Sequence, residues 1–284
     1  MKNICIITNI SKDPNRRYFN ELTRLLSEKG MSSYSVDISF NKEISERLIS
    51  EELVKKTDCI IVLGGDGTLL ETARKMTHTK IPLIGINLGH LGFLTETEGA
   101  DIAFAVDKIY KNEYFIENRM MIKGTIERNN KIIYENIALN DIVFGRKGQN
   151  QITELELNVN GSLLNIYVAD GLIISTPTGS TAYNHSAGGP VVKPTASMIV
   201  VTPICSQILG IPSILLDGDD ELEIYIPDQT RKPESDVGVS FDGENMFTLL
   251  PGDKIKITRF DNPVNLLRLS KQSFLETLSK KMQH

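Results

Sequence analysis

The sequence predicts an α/β N-terminal domain on a largely parallel sheet, then a mostly β domain, with a C-terminal helix returning to pack on the first domain. Three observations carry this reading. Apolar runs and amphipathic stretches alternate through the first hundred residues, the rhythm of strand-helix-strand units. From about Tyr114 the apolar period falls to two, the period of half-buried strands. The last stretch, SFLETLSKKM, spaces Phe274, Leu275 and Leu278 along one side of a helix. The expected divisions are residues 1–113, 114–262 and 263–284.

Taken in order, Ile4 to Ile7 reads as a buried strand. Tyr18 to Lys29 places Tyr18, Phe19, Leu22, Leu25 and Leu26 on a helical stripe, with Gly30 where a C-cap belongs. SYSVDI is a second strand, about Glu43 to Lys56 a helix, and Cys59 to Leu63 a third strand. A helix over Leu69 to Met76 and the strand IPLIGIN continue the alternation. Beyond residue 114, MIKGTIERNNKIIYENIALNDIVF reads as strands about Asn129-Asn130. ELELNVNGSLLNIYV reads as a hairpin turned at Asn160-Gly161, a type I′ signal. LEIYIP, VGVSF and DKIKITRF are further strands, and Ser273 is the expected cap of the last helix. Ile199 to Leu216 is the one segment apolar enough to suggest a membrane span. Pro203, Gly210 and Pro212 interrupt it, so two short strands joined by a loop describe it better.

A chain of 284 residues that is 40% hydrophobic is long enough for two domains that each bury a core. Its formal net charge of -5 gives no overall basic field for nucleic acid or an anionic membrane, so a small-molecule partner is expected. Cys5, Cys59 and Cys205 lie far apart and outside any C-x-x-C spacing. That fits a reducing, cytoplasmic compartment with neither a disulfide framework nor a zinc site. The apolar run near the N-terminus is too short for a signal peptide. His78, His90, His185 and His284 show no ligand spacing, and no metal site built by the chain is expected.

The chemistry gathers in three stretches. In IIVLGGDGTLL a buried strand runs into Gly64-Gly65-Asp66-Gly67 and then a helix near Thr68. Backbone N–H groups and a helix N-terminus then face the carboxyl edge of the sheet, an arrangement suited to phosphate. Asp66 is the odd member, because a carboxylate beside phosphate is repelled unless it holds a metal ion or takes a proton from an attacking hydroxyl. The same letters also suit an ordinary Asp-Gly turn. Neither a Walker A loop nor a G-x-G-x-x-G fingerprint is present at this turn. The second stretch, DGLIISTPTGSTAYNHSAGGP from Asp170 to Pro190, interleaves hydroxyls with glycines. It offers donors and acceptors on an approachable backbone, and Tyr183 as a flat surface for a base; a polar loop is the plain alternative. The third, Asn140-Asp141, interrupts a strand pattern, at a site or in a turn; ribose diols are often held by a carboxylate.

Together these residues resemble the NAD kinase family. The resemblance rests on Gly64 to Thr68, GINLGHLGFLTE, Arg119-Met120-Met121, Asn140-Asp141, the block from Asp170 to Pro190, Pro203-Ile204-Cys205 and SFDG at 240–243, in family order. It implies an ATP-dependent kinase that phosphorylates the 2′-hydroxyl of the adenosine ribose of NAD, with the active site between an α/β and a β-rich domain. It implies that Asp66 is the catalytic base and that Gly64, Gly65, Gly67 and Thr68 lie at the ATP phosphates, with a divalent metal, usually magnesium, carried on the nucleotide. Asp66, Gly67, Phe93, Asn140 and Asp141 would contact NAD, Asp170 would face its nicotinamide side, and Thr181, Ala182, Tyr183, Asn184, His185 and Ser186 would surround the adenine. The partners implied are NAD, ATP and further copies of the chain, as a homodimer or homotetramer. The chain departs from the family where relatives carry Asn-Glu in place of Asn140-Asp141, a basic residue in place of Glu71 or Gln151, and Pro-His after Cys205. A lipid or sugar kinase with the same turn, or a nucleotide-sensing module without catalysis, are the competing readings.

Overall fold

The computed structural model describes residues 1–38, 51–89, 92–146, 153–208, 210–227, 237–269 and 274–282. His90, Gln151, Ser273, His284 and the first part of the helix expected from Glu43 lie outside them. The chain divides into two compact units, one of Met1–Asn118 with Asn262–His284 and the other of Arg119–Asp261.

The first unit contains β1 (Asn3–Asn9), α1 (Arg17–Glu28), β2 (Ser32–Ile38), α2 (Glu51–Lys56), β3 (Cys59–Gly64), α3 (Asp66–Met76), β4 (Leu83–Asn87), β5 (Thr97–Glu98), α4 (Ile102–Tyr110) and β6 (Phe115–Arg119). Strands β2, β1, β3 and β4 lie side by side in that order, all parallel. The near-continuously buried apolar runs of β1, β3 and β4 are what a sheet covered on both faces requires, while β2 at the edge is largely polar. The order reverses direction between β1 and β3, so a crevice opens at their carboxyl ends, where the glycine turn begins. Helix α1 ends as predicted: Gly30, at φ +70°, donates to Ser27 O at 2.9 Å while Met31 N donates to Leu26 O at 3.0 Å, the paired bonds of a Schellman cap. Helix α4 was not anticipated, although Ile102, Ala105, Val106 and Ile109 form a buried helical stripe. The strand Val264–Arg268 joins this sheet beside β4 with Leu266 opposite Leu83, and Arg268 pairs with Glu96 and Glu117. The helix Phe274–Met282 follows it.

The second unit is two six-stranded antiparallel sheets. Its strands are β7 (Ile122–Arg128), β8 (Lys131–Ala138), β9 (Asp141–Arg146), β10 (Thr153–Val159), β11 (Ser162–Ala169), β12 (Gly171–Ser175), β13 (Met198–Ile204), β14 (Ile214–Asp217), β15 (Leu222–Tyr225), β16 (Val237–Phe241), β17 (Phe247–Thr248) and β18 (Lys254–Arg259). One sheet runs β11-β10-β15-β18-β7-β8 and the other β14-β13-β12-β9-β16-β17. Alternate residues of both, among them Ile126, Leu157, Ile224 and Ile255 from the first and Phe144, Leu172, Val201 and Val239 from the second, form one buried cluster. The hairpin at Asn160-Gly161 forms as predicted, with φ of 50° and 78°, both required by a type I′ turn. The segment from Ile199 to Leu216 forms β13, a loop and β14, and no described helix is long and apolar enough to cross a membrane.

Candidate functional site

In the first unit α3 starts at Asp66, three residues before the expected Leu69, so Asp66 and Gly67 are its first helical residues. Gly65 is the N-cap and has no side-chain bond to offer. Leu69 N makes the first helical bond, to Gly65 O at 3.1 Å, and the N–H groups of Asp66, Gly67 and Thr68 find no acceptor among the described residues. Three aligned donors at the positive end of a helix suit an anion. Thr68 does not cap the helix; its Oγ1 accepts from Asn9 Nδ2 at 3.1 Å, and the same side chain fills the space a Cβ on Gly64 would need.

The Asp66 carboxylate is fixed from the other side. Its Oδ2 accepts from Phe93 N at 2.7 Å, and its Oδ1 accepts from Thr95 N and Thr95 Oγ1, both at 3.1 Å. Thr95 Oγ1 in turn accepts from Asn87 Nδ2 at 3.3 Å and Gly92 N at 3.0 Å. A Cβ on Gly92 would overlap the Asp66 carboxyl group, so the loop after β4 closes on that carboxylate only because residue 92 has no side chain. Phe93 is half-buried and thus sits within one hydrogen bond of Asp66. Its ring meets Phe274 at a centroid distance of 6.3 Å and Lys281 Nζ at 4.7 Å. Asn9, Asn87 and Thr95 were not singled out by sequence reasoning. Asn9 and Asn87 each end a strand at the carboxyl edge, and Asn87 and Thr95 lie within GINLGHLGFLTE, which were the available signals.

In the second unit three neighbouring strands deliver the remaining residues. Ser175 of β12 pairs with Asp141 of β9, and Ile142 of β9 pairs with Phe241 of β16. Asn140-Asp141, Thr176 and Asp242 therefore meet at one end of the sheet. Asp242 and Gly243 form a tight turn, φ 51° and 76°, closed by Glu244 N to Phe241 O at 3.0 Å. That turn aims the Asp242 carboxylate at three successive N–H groups, Leu139 at 2.8 Å, Asn140 at 2.7 Å and Asp141 at 3.1 Å. Asp242 lay within a motif quoted for the resemblance but received no role there. The backbone of Asn140 is further clamped by Thr176 N donating to its carbonyl at 2.8 Å, and by Gly179, whose missing Cβ would collide with that carbonyl. The side chains of Asn140 and Asp141 make no hydrogen bond among the described residues. Burial first, then the nearby Asp242 charge, pushes the Asp141 carboxyl up to about 7.

The hydroxyl-rich loop differs from its sequence reading. Thr176 Oγ1 donates to Leu139 O at 2.5 Å, Ser180 Oγ donates to Pro177 O at 2.7 Å and accepts from Val192 N at 3.0 Å, and both residues are buried. Asn184 is fully buried, its amide donating to Ser180 O and Pro190 O and its Oδ1 accepting from Thr202 Oγ1 at 2.7 Å. These side chains satisfy the backbone of a tight loop, because unpaired buried polar groups are costly. The exposed part is Tyr183, His185 and Ser186, with Thr181 and Ala182 half-buried beside them. Asp170 is not gathered with Asn140-Asp141: it precedes Gly171, which pairs with Gly145 at the far end of β12, and it pairs with Arg146 at 3.3 Å. At about 3.3 Å per residue the two ends are roughly 15 Å apart.

Against known proteins, residues 4–114 match the ATP-NAD kinase N-terminal domain and residues 139–269 the ATP-NAD kinase C-terminal domain. The chain belongs to the ATP-NAD kinase family. Family members similar to it include an NAD kinase of Agathobacter rectalis, 40% identical over 99% of both chains, and one of Lachnospira eligens, 39% identical over 99% of this chain and all of that one. The fold is that of solved members of the family. Yeast NADH kinase complexed with NADH superposes with a TM-score of 0.85 at 23% identity, over 100% of this chain and 88% of that one. An NAD kinase from Archaeoglobus fulgidus in complex with ATP superposes at 0.75, also at 23% identity, over 99% and 98%.

Proposed function

We propose that the chain transfers the γ-phosphoryl group of ATP to the 2′-hydroxyl of the adenosine ribose of NAD, giving NADP and ADP. The observation that carries this is the Asp66 carboxylate, held by three hydrogen bonds at the start of a helix whose first N–H groups are unpaired. The 2′-oxygen forms a bond to the γ-phosphorus and the bond to the β,γ-bridging oxygen breaks, its electron pair leaving on ADP. The hydroxyl proton goes to Asp66 as general base. The N–H groups of Asp66, Gly67 and Thr68, next to the backbone of Gly64 and Gly65, hold phosphate oxygens in line.

On this reading Phe93, Gly67, Asn140 and Asp141 position the adenosine part of NAD. Thr181, Ala182, Tyr183, His185 and Ser186 line the base, with the Asn184 side chain shaping the loop beneath them. Asp170 addresses the nicotinamide end, and its distance from Asp141 along β12 suits a long dinucleotide. Among the described residues no group of three or more His, Cys, Asp or Glu side chains is placed to hold a metal ion, and Asp66 is the carboxylate at the turn. That donor set fits magnesium held chiefly by phosphate oxygens, where it neutralises charge on the transferred group.

Assembly into a homodimer or homotetramer belongs to the same reading. Exposed Ile132 and Ile133 on edge strand β8 and Leu163 and Ile166 on edge strand β11 support it. A cytoplasmic location is supported by three unpaired cysteines, two of them buried.

The test is NADP formation from NAD with ATP and magnesium, repeated with inorganic polyphosphate as donor and NADH as acceptor. Asp66→Asn is expected to lower kcat by about 10²–10⁴. Wild-type protein that forms no NADP, or an Asp66→Asn variant of full activity, overturns the proposal.

A further inference from the structure

We propose that Lys12 binds the phosphate chain of the donor nucleotide and supplies the cation that the first turn of α3 lacks. The inference rests on the kinase reading above and adds a residue to it. Strands β1 and β3 are parallel neighbours with Thr8 opposite Leu63, so the loop after β1 and the glycine turn after β3 emerge side by side at the switch in strand order. The side chain of Asn9 shapes that loop. Its Oδ1 accepts from Ser11 N and Ser11 Oγ, its Nδ2 ties the loop to Thr68, and its carbonyl accepts from Lys12 N and Asp13 N. Asp13 is turned the other way, accepting from Tyr18 N and Phe19 N at the start of α1. Lys12 is thereby directed at the glycine turn, and its Nζ occupies the space that a Cβ on Gly65 would fill.

The electrostatics of that position are unusual. The amine lies against the positive end of α3, where the dipole and three unpaired N–H groups repel a cation, and it forms no ion pair among the described residues. Asp66 forms no ion pair with it among the described residues; both of its carboxylate oxygens accept hydrogen bonds from Phe93 and Thr95. Helix α3 offers no cation of its own near the turn: position 71 is glutamate, and Glu71 is paired with Lys75 at 3.2 Å. A polyanion seated on the N–H groups would reverse the sign of the field at Lys12. Such a ligand carries more negative charge than one helix terminus can meet, which suits a triphosphate better than a single carboxylate. Lys12 is exposed, and its side chain forms no hydrogen bond or ion pair among the described residues that a substitution would break.

The experiment compares wild-type protein with Lys12→Met and Lys12→Arg. Tripolyphosphate is titrated calorimetrically into each, and steady-state rates are measured with ATP varied at saturating NAD and with NAD varied at saturating ATP. Lys12→Met is expected to weaken tripolyphosphate about tenfold or more and to lower kcat/KM for ATP by a similar factor. KM for NAD should stay at its wild-type value, the melting temperature should not fall, and Lys12→Arg should recover most of the loss. Tripolyphosphate binding by Lys12→Met within twofold of wild type overturns the inference, as does an equal loss toward ATP and NAD, which would mark a structural role. Because the titration needs no turnover, it decides the role of Lys12 even if wild-type protein forms no NADP, a result that would instead defeat the kinase reading.

Discussion

Replacing Gly67 by alanine separates what the fold wants from what the proposed chemistry wants. Gly67 is the second residue of α3, has no left-handed φ, and has no heavy atom within 4 Å of the position a Cβ would take. Nothing in the folded chain requires glycine there. Alanine reduces the freedom of the unfolded chain and suits a helix better, a gain of about 0.5–1 kcal/mol. At about 2–4 °C per kcal/mol that is a melting temperature higher by roughly 1–4 °C. The open space beside Gly67 has a use only if phosphate comes close to the backbone, since its own N–H is among the unpaired donors. A methyl group there denies at least one such donor to the transferring group, which is worth about 10²–10³ in rate. The expected outcome is a variant that melts higher by differential scanning calorimetry and has kcat/KM for ATP lowered by about two orders of magnitude. A more stable Gly67→Ala enzyme with unchanged kcat/KM for ATP would refute the assignment of this turn to phosphate.

Asp141 gives a pH signature. Its carboxyl is raised from 3.8 to about 7 in the folded state, so its ionisation opposes folding: the cost is absent below pH 3.8, grows between there and pH 7, and is complete above. Asp141→Asn is therefore expected to gain stability over wild type by about 1.4 kcal/mol per pH unit through that window. Urea midpoints compared at pH 5 and pH 8 check it, and a difference that does not change with pH contradicts it. Gly179→Ala is expected to destabilise the second unit by about 1–3 kcal/mol, because its Cβ would meet backbone at Asn140 and not a movable side chain. Gly188→Ala, by contrast, meets no atom within 4 Å and serves as the control for backbone strain alone, at φ +85°. Denaturant unfolding and NAD titration of the two variants should differ, with NAD affinity lost in the first and kept in the second.

Much of the fold was legible because it depends on local pattern. The buried runs of β1, β3 and β4, the glycine that closes α1 and the Asn-Gly turn at 160–161 are each set by a few consecutive residues, and the structure places them where the pattern put them. Helix α4 was equally local, and its stripe was overlooked. The start of α3 at Asp66 was misjudged because the glycines and the aspartate that open it have low helix propensity, and packing of Thr68 and Leu69 overrides that preference. The strand Val264–Arg268 could not be read as part of the first sheet, since its partner β4 lies far away in sequence.

By itself, then, the sequence determined that a glycine turn with one carboxylate ends a buried strand and that a hydroxyl-rich loop follows a β run, because both are matters of neighbouring residues. Only the tertiary structure decided how those residues are used. It turned the hydroxyls of Thr176 and Ser180 and the amide of Asn184 inward to satisfy their own loop. It brought Phe93 and Thr95 onto Asp66 from 27 and 29 residues away, aimed Asp242 at the Asn140 backbone, and set Lys12 over Gly65. Those are long-range hydrogen bonds and close approaches, whose partners are chosen by strand order and register, and no spacing along the chain encodes them.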